Sequence, residues 1–388
     1  MRIVYLLSSL GVGGAEKQAL AVADRMAARG HTVRLLVLMP RLAAEWSTAI
    51  PSLHLDVRKT PWSALKGFMR ARAFLREFHP DLVHSHGFHA NIFARLLRVA
   101  APPFVALSTV HNVYEGGWHR MLAYRLTDFL SRCTVAVSQA AADRFTRLGA
   151  VPRRKCSVIL NGIDIHDFAP NAQSGARIRA EIGVSDAAEE SEFIWLAVGR
   201  LVANKDYPNL LRAFAEVRSG RGDARLWIAG DAAVGQIAVL QQLRNELELG
   251  DSVRWLGLRR DMPALLDAAD AFVSGSAWEG MPLAVGEAMA MAKPVVATDV
   301  GGVRELVGDA GIIVPAKDSE ALAKAMLAIM KESREALAAR GRAARQRIVD
   351  RFSIDATANT WEALYGSLIM GDGSRIVDRD SGIANREP

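Results

Sequence analysis

The chain is poor in cysteine and has no long apolar run. Its 388 residues include two cysteines, Cys133 and Cys156, which have neither a CxxC spacing nor a metal-ligand spacing. We therefore expect reduced, structural thiols in a cytoplasmic protein rather than a disulfide framework. No run of 18 apolar residues occurs, which argues against a bilayer-spanning helix. The apolar start, Met1–Leu7, is not followed by a small-residue cleavage site and favours a first β-strand over a signal peptide.

Signatures of nucleic-acid binding are also missing, since the sequence has no helix-turn-helix, RNP-like or Cys/His zinc pattern. The charge is nevertheless uneven. Residues 1–172 carry 22 Lys/Arg against 11 Asp/Glu, a net +11, and the remainder carries 26 against 31, a net −5. A basic first half predicts an anionic partner for that half, such as a membrane surface, a polyphosphate lipid or a nucleic acid.

Short apolar strands alternate with helical patterns along the chain, whose length is that of two domains. This alternation predicts βαβ units on parallel sheets, and hence an α/β protein with two doubly wound domains. A polar, Glu-rich segment at 171–192 is the expected linker. The first half has six predicted strands: Ile3–Ser8, Thr32–Leu38, Leu82–His84, Phe104–Thr109, Thr134–Val137 and Ser157–Leu160. The second half also has six: Ile194–Val198, Arg225–Ala229, Val253–Leu256, Ala271–Val273, Val295–Ala297 and Ile312–Val314.

Charged residues and glycines follow the strands of the second half, where open α/β sheets bind ligands. Arg200 and Lys205 come after one strand and can reach a single diphosphate, Arg as a bidentate donor and Lys as a point charge. Gly230 ends the next strand and allows a close backbone approach to a ligand. The strand ending at Leu256–Arg259 can supply a wall for a nucleobase. Asp261, just before a Met-Pro helix start, is expected to be an N-cap.

Two carboxylates flank a Gly-Met-Pro turn that leads into an apolar helix. Glu279 lies in the loop, and Glu287 lies in the first turns of the helix. Chance alone supplies about one pair with this spacing in such a chain, so the context decides its meaning. Backbone N–H groups at the helix N-terminus can face a phosphate while the two acids bind hydroxyls beside it.

A glycine-rich loop, Leu10–Glu16, joins the first strand to the first helix. A dinucleotide-binding loop is the obvious alternative, but Glu16 stands where the third, close-packing glycine is needed. The second strand also ends without the acid that would hold a ribose. Arg41 near that strand end leaves an NADP-binding interpretation open.

Histidines cluster at two strand ends of the first half. His84 and His86 share one face of a strand and His89 follows, so a zinc pair is one interpretation, although no acidic third ligand lies nearby in sequence. His111 ends another strand and precedes Asn112, which makes it the preferred binding-site histidine. A core histidine with satisfied hydrogen bonds is the alternative for His111.

Several of these motifs, in their order and spacing, resemble the donor domain of the retaining GT-B glycosyltransferases of group 4 (GT4). The motifs are Gly199-Arg200-Leu201 with Lys205, Ala229-Gly230-Asp231, the segments around Glu279 and Glu287, and Lys293-Pro294-Val295-Val296-Ala297-Thr298. The resemblance covers the chain to about residue 370. It implies two Rossmann-like domains facing across a cleft, a nucleotide-sugar donor, and metal-independent transfer with retention. No metal or other cofactor is expected, since two cations and a helix N-terminus can stabilise phosphate charge.

The resemblance also implies domain roles and site residues. The first domain, 1–170, would bind the acceptor and the second, 193–352, the donor; a helix at 353–370 would cross back to the first domain before a frayed tail at 371–388. The residues expected at the reacting groups are Glu279, His111, Arg200 and Lys205. The expected donor-binding residues are Gly13, Gly14, Arg200, Lys205, Gly230, Leu258, Arg259, Gly280, Met281, Pro282, Leu283 and Glu287. The expected acceptor-binding residues are Glu16, His84, His86, His111 and Asn112.

Two basic amphipathic stretches, Trp62–Phe78 and Trp118–Arg132, could meet an anionic membrane. An apolar stripe that packs on the sheet is the alternative for each. The expected function is transfer of a hexose or N-acetylhexosamine from a nucleotide-sugar, with UDP favoured, to a glycan acceptor. The acceptor is expected to be polyprenyl-diphosphate-linked, and the pathway to be polysaccharide or glycoconjugate biosynthesis. The enzyme would lie peripherally on the inner face of the plasma membrane and bind no nucleic acid. A nucleotide-sugar 2-epimerase of the same fold and a basic nucleic-acid-binding protein are the alternatives.

Overall fold

The structure is a computed structural model that describes residues 1–183, 192–232 and 235–371. The chain divides into two compact units, which we call the first and second units. The first unit comprises Met1–Gly162 and the C-terminal segment from Ile354, and the second unit comprises Ile163–Ser353. The predicted frayed tail falls, from residue 372 onward, outside the described residues.

The first unit is built on one parallel sheet of seven strands. The strands are β1 (Arg2–Leu7), β2 (Thr32–Val37), β3 (Ser52–His54), β4 (Leu82–His86), β5 (Val105–Val110), β6 (Cys133–Ala136) and β7 (Cys156–Val158). Their spatial order is β3-β2-β1-β4-β5-β6-β7. The order reverses between β1 and β4, so the loops that follow β1, β4 and β5 begin at one edge of the sheet. The connecting helices are α1 (Gly14–Ala28), α2 (Pro61–Phe78), α3 (Phe88–Ala100), α4 (Trp118–Thr127) and α5 (Gln139–Arg147).

The second unit repeats this plan with six parallel strands. They are β8 (Phe193–Val198), β9 (Ala224–Ala229), β10 (Val253–Gly257), β11 (Ala271–Ser274), β12 (Val295–Thr298) and β13 (Ile312–Val314), in the order β10-β9-β8-β11-β12-β13. The reversal point lies between β8 and β11. The helices are α6 (Ala172–Ile182), α7 (Tyr207–Gly220), α8 (Gln236–Glu246), α9 (Met262–Ala268), α10 (Leu283–Ala290), α11 (Val303–Val307), α12 (Ser319–Met330) and α13 (Arg334–Arg351).

A last helix, α14 (Ile354–Met370), belongs to the first unit, so the predicted return of the C-terminal helix is confirmed. The alternation of side chains along β1 shows how the sheet is covered on both faces. Ile3, Tyr5 and Leu7 pack in the cluster that includes α1 and α14. Val4 and Leu6 pack in the cluster that includes α2 and α3.

The expected linker is in part a helix. α6 occupies 172–182 and packs against α9 in the second unit. Arg179 forms an ion pair with Asp270 at 2.9 Å, and the Asn171 amide donates to the Asp267 carboxylate at 2.8 Å. The two units therefore divide between Gly162 and Ile163, ahead of the expected boundary at 170, and residues 184–191 lie outside the described part.

The twelve predicted strands are all present, and the prediction of two doubly wound parallel sheets is confirmed. The thirteenth strand, β3, is three residues long, which is too short for an apolar period to mark it. Both cysteines are free thiols. None of the helices within the described ranges combines the length and apolarity needed to cross a membrane.

Candidate functional site

At the carboxyl end of β8 in the second unit, two glycines let backbone segments touch. The Gly199 amide donates to the Ala229 carbonyl at 2.9 Å, and the Tyr207 hydroxyl donates to the Gly199 carbonyl at 2.7 Å. A Cβ added to Gly230 would overlap the Gly199 carbonyl oxygen. We expected Gly230 to allow the approach of a ligand; in the structure the chain's own backbone already requires a glycine there.

Lys205 and Glu279, which are 74 positions apart in sequence, form the polar centre of this edge. Lys205 Nζ lies 2.7 Å from Glu279 Oε1, and the Glu279 side chain is almost fully buried. Ser276 Oγ donates to the same oxygen at 2.9 Å, and Asn204 Nδ2 lies 3.4 Å from it. A buried carboxylate is tolerated only when it is paired and hydrogen-bonded in this way.

The backbone around Glu279 is held by a glycine turn after β12. The Gly302 amide donates to the Gly280 carbonyl at 2.6 Å. Gly301 has φ +54°, and a Cβ there would overlap the Glu279 carbonyl oxygen. α10 then begins after Pro282, whose side chain cannot cap the first N–H groups of the helix. Those groups therefore face the loop that carries Glu279 without a side-chain cap at the N-cap position.

The other donor-binding candidates differ in exposure. Glu287 is buried in the second turn of α10, and the Met281 side chain is buried as well. Arg200 is exposed, and no ion pair joins it to another residue of the described chain. Gly286 lies so close to Ile163 that an added Cβ would sit 2.7 Å from the Ile163 side chain. The exposed Arg200 guanidinium can therefore meet an anion from solution.

Arg259 and Asp261, near the end of β10, bind each other. Arg259, a predicted donor-binding residue, is tied to Asp261 at 2.6 Å and to Glu181 at 2.9 Å. Asp261 makes no side-chain cap hydrogen bond to α9, because its carboxylate binds Arg259 instead. Asp261 therefore occupies the predicted N-cap position of α9, but the capping hydrogen bond from its side chain is absent. Leu258 is partly exposed beside them and keeps an apolar surface.

In the first unit, the glycine loop connects β1 to α1. Gly13 is the N-cap residue of α1, and a Cβ on it would lie 2.5 Å from Glu16 Oε2. Ser9 Oγ donates to Glu16 Oε1 at 3.2 Å, and Trp46 Nε1 donates to the Gly13 carbonyl at 3.3 Å. Glu16 therefore folds back over its own loop, while Gly14 is exposed.

His84 was predicted to bind the acceptor, but the structure gives it a different place. Its ring is fully buried, with Nδ1 2.7 Å from the Tyr365 hydroxyl and Nε2 2.6 Å from Thr109 Oγ1. Because both ring nitrogens are occupied, His84 has no atom left for an acceptor or a metal. No cluster of three or more metal-ligating side chains occurs among the residues described.

His86 and His111, from the ends of β4 and β5, form a pair. His86 Nδ1 lies 2.9 Å from His111 Nε2, and the His86 ring stacks on Tyr5. Burial lowers the pKa of His111 to about 4 and holds the pKa of His86 well below its ordinary value, so both rings are neutral at pH 7. Nε2 of His86 is buried without a hydrogen-bond partner in the described structure. Asn112 forms an Asx turn with the Tyr114 amide at 3.2 Å.

Three further residues were missed from the sequence. Ser276 and Asn204 bind the Glu279 carboxylate, and both lie inside segments that the motif analysis had already marked. Glu115 lies in the loop after His111 and accepts a hydrogen bond from the His111 amide at 3.0 Å. A single acid in a Tyr-Glu-Gly-Gly loop carries no sequence signal for this contact.

The chemistry of the two edges differs. The second unit offers cations, a helix N-terminus and buried carboxylates, which suit phosphates and hydroxyl groups together. The first unit offers neutral imidazoles, which exchange hydrogen bonds with hydroxyl groups and carry no charge at pH 7. Each unit thus has a polar site at the carboxyl ends of its central strands.

Both units match family models of glycosyltransferases. Residues 12–167 match the family model described as Glycosyltransferase Family 4, and residues 192–332 match the model described as Glycosyl transferases group 1. A lipopolysaccharide core biosynthesis mannosyltransferase, LpsB of Rhizobium meliloti, is 31% identical over 260 residues, which cover 65% of this chain and 69% of that protein.

Two further similarities span more of the chain. The UDP-Gal:alpha-D-GlcNAc-diphosphoundecaprenol alpha-1,3-galactosyltransferase of Escherichia coli is 26% identical over 318 residues, which cover 79% of this chain and 80% of that enzyme. The crystal structure of Anabaena Alr3699/HepE in complex with UDP-glucose superposes with a TM-score of 0.83 at 22% identity. That superposition covers 95% of this chain and 100% of the Anabaena chain.

Proposed function

The chain belongs to glycosyltransferase family 4 and has the GT-B fold, and from this premise we propose that it transfers a hexose or an N-acetylhexosamine from a nucleotide-sugar to a glycan acceptor. The observation that carries the proposal is the Lys205–Glu279 pair at the carboxyl edge of the second sheet. A lysine and a carboxylate in contact at a helix N-terminus can bind a diphosphate and a sugar hydroxyl side by side.

The donor is proposed to bind the second unit. Arg200 and Lys205 would neutralise the leaving diphosphate, Glu279 would bind sugar hydroxyls, and Glu287 would bind the ribose. UDP is the favoured nucleotide because the Escherichia coli relative is named for UDP-Gal and the Anabaena protein binds UDP-glucose. Exposed Leu258 supplies an apolar surface for the base.

The test of the proposed donor is ligand-induced thermal stabilisation, followed by transfer. UDP-, GDP- and ADP-sugars are compared at equal concentration, and the true donor is expected to raise Tm by mass action. The same donor is then incubated with and without a lipid-linked glycan acceptor. Epimerised sugar nucleotide without acceptor would assign a 2-epimerase, and no stabilisation by any nucleotide-sugar would contradict the proposal.

Retention and independence from metal are part of the proposal. Two cations and the α10 N-terminus can stabilise the charge that develops on the leaving diphosphate, so a divalent ion is not needed for that task. We expect transfer to continue in excess EDTA and to preserve the anomeric configuration of the donor. Proton NMR of the product made in EDTA tests both statements, and an inverted anomer or loss of turnover in EDTA would contradict them.

The first unit is proposed to dock on an anionic membrane on the cytoplasmic side, where a polyprenyl-diphosphate-linked acceptor would be met. Four apolar side chains follow one another at spacings of four, four and three residues along α4 and the turn after it, and they are between 41% and 77% exposed: Trp118, Leu122, Leu126 and Phe129. Cations line the hollow beside Phe129: Arg98, Arg132, Arg154 and Lys155. An exposed apolar stripe that carries two aromatic side chains and is bordered by cations fits an anionic lipid interface.

In α2, the second predicted membrane stretch, only part of the predicted apolar face is exposed. Trp62, Leu65 and Met69 are exposed, but Leu75 and Phe78 are buried against the sheet. The N-terminal half of α2 is therefore the part that could reach a membrane. The C-terminal half agrees with the alternative interpretation, in which the apolar stripe packs on the sheet.

Replacing Leu126 and Phe129 with glutamate is expected to weaken binding to anionic vesicles at least about tenfold, because each side chain gives about 1.5–3 kcal/mol when fully buried. Flotation with phosphatidylglycerol vesicles at low and high salt measures the effect, since screening weakens the cationic contribution. Val239→Glu, at an equally exposed position on α8, is the matched control. Equal flotation of the double variant and the wild type would remove α4 from the proposal.

A further inference from the structure

We propose that Glu115 is a positioning residue for the His86–His111 pair, holding His111 through its backbone amide while a hydrogen-bonded network ties the carboxylate to the core. The inference rests on the proposed function and on the expectation that this histidine pair binds hydroxyl groups of the acceptor. It adds a residue that neither the motifs nor the comparisons mark, and it predicts how activity responds to pH.

Both oxygens of the Glu115 carboxylate are engaged. The His111 amide donates to Oε1 at 3.0 Å, and the Tyr124 hydroxyl donates to Oε2 at 2.8 Å. Arg120 donates to the Glu115 carbonyl at 2.7 Å, which fixes the backbone of the same residue. The loop between β5 and α4 is therefore held through both the side chain and the backbone of Glu115.

The network continues from Tyr124 into the sheet. Asn91 Nδ2 donates to the Tyr124 hydroxyl at 2.9 Å and to the Thr109 carbonyl at 2.9 Å, and Ser85 Oγ donates to Asn91 Oδ1 at 2.8 Å. Ser85 directly precedes His86 on β4, and Thr109 lies two positions before His111. The same buried side chains thus fix the strand ends from which both histidines project.

The histidine pair has an open hydrogen-bonding position. His86 Nε2 is buried and has no partner in the described structure, and His86 is only 6% exposed. One nitrogen of the His86–His111 contact must donate and the other accept, so the tautomer of His111 sets whether Nε2 of His86 carries a proton. A displacement of the His111 ring would alter this contact, and with it the hydrogen bond that His86 Nε2 offers to a hydroxyl.

The charge on Glu115 is finely balanced. Burial raises its pKa to about 7, opposed by the hydrogen bonds from Tyr124 and the His111 amide and by the charge of Arg120. Beyond these, the ionisable groups around the network include Arg95 over the Tyr124 ring, Asp128 near Arg95, His89 beside Arg120, and neutral His86. Above pH 7 the carboxylate accepts both hydrogen bonds. Below pH 7 its added proton competes with the Tyr124 proton for the same position.

Stability and positioning should respond to pH in opposite directions. The folded-state pKa of Glu115 lies above its unfolded value, so the folded chain binds more protons between about pH 4.5 and 7. Its contribution to stability is lost as pH rises through that window. The grip on His111, by contrast, strengthens as the carboxylate forms. If Glu115 had only a structural role, kcat/KM for the acceptor would not rise with pH while the stability falls.

The test compares Glu115→Gln with the wild-type chain between pH 5.5 and 8.5. The wild-type acceptor kcat/KM is expected to rise with a midpoint near 7. In the variant the step should be absent and the value at pH 8 about tenfold lower, with nucleotide-sugar stabilisation unchanged. Asp143→Asn, which changes an exposed acid on α5 that binds Gln139 outside this network, is the control and should keep the wild-type profile.

Tyr124→Phe gives a second, independent readout. It removes a hydrogen bond that lowers the Glu115 pKa, so the midpoint should move to higher pH. The His111 amide resonance should titrate with the same midpoint in the wild type and lose the titration in Glu115→Gln, whether or not transfer occurs. If the His111 amide titrates but no sugar transfer is found, the proposed function is contradicted and the role of Glu115 is not. An unchanged pH profile in Glu115→Gln, or an unmoved midpoint in Tyr124→Phe, would overturn the role of Glu115.

Discussion

Lys205→Ala is expected to lower kcat by about 10²–10³-fold, because one preorganised cation at a developing anion is worth that much. The structure adds a complication: Lys205 also neutralises the buried carboxylate of Glu279 at 2.7 Å. Removing one partner of a buried pair costs about 3–5 kcal/mol of stability. The single variant therefore loses both chemistry and stability, and a rate measurement alone would not separate them.

The double variant Lys205→Ala/Glu279→Gln separates the two losses. A neutral amide at position 279 no longer needs a cation and still accepts the hydrogen bond from Ser276, so most of the lost stability should return. Transfer should remain as low as in the single variants. Chemical unfolding and initial transfer rates are measured on all four members of the cycle.

Lys324→Ala is the matched control for this cycle. Lys324 pairs with Glu320 on the exposed surface of α12, where an ion pair contributes little to stability and touches no proposed ligand. Wild-type stability and rate are expected. Full transfer activity in Lys205→Ala or in Glu279→Gln would contradict the assignment of the donor site.

Gly230→Ala is expected to destabilise the second unit by about 3 kcal/mol or more, because the added Cβ would overlap the Gly199 carbonyl oxygen and neither β8 nor β9 can move away. The clash is with backbone, so rotamer changes cannot relieve it. Donor binding should fail with the fold, since Gly199 immediately precedes Arg200. Urea unfolding followed through the buried Trp195 and Trp227 of the second unit measures the loss.

Gly222→Ala is the paired control. Gly222 lies in the turn before β9, and a Cβ there would meet no atom within 4 Å. A stability within about 0.5 kcal/mol of the wild type is expected. If Gly230→Ala were as stable as Gly222→Ala, the close approach of β8 and β9 would not be a constraint on this fold.

The sequence predicted the fold better than the linker or the site. Alternating apolar strands and helical periods located twelve strands, because both faces of a parallel sheet are buried and every strand reads as an apolar run. α6 was taken for linker because its sequence is polar. Its attachment depends on Arg179 and Asp270, 91 positions apart, and a local pattern does not record such a pair.

The site shows the same division. Motif order and spacing marked Lys205 and Glu279 as expected donor-binding residues, and the structure brings these two side chains into contact. The two histidines of β4 could not be told apart from sequence, since they share one face of the strand. Tyr365, 281 residues away on α14, and Thr109 occupy both ring nitrogens of His84, whereas Nε2 of His86 has no hydrogen-bond partner in the described structure.

The sequence by itself therefore determined the architecture, the family and the chemical character of each half, because these depend on local periodicity, on motifs and on composition. The tertiary structure decided which polar groups are already satisfied. It assigned Arg259 to Asp261 and Glu181, His84 to Tyr365, and Glu115 to His111. The physical reason is that a buried polar group needs a partner, and the partner is supplied by whichever element the fold brings alongside.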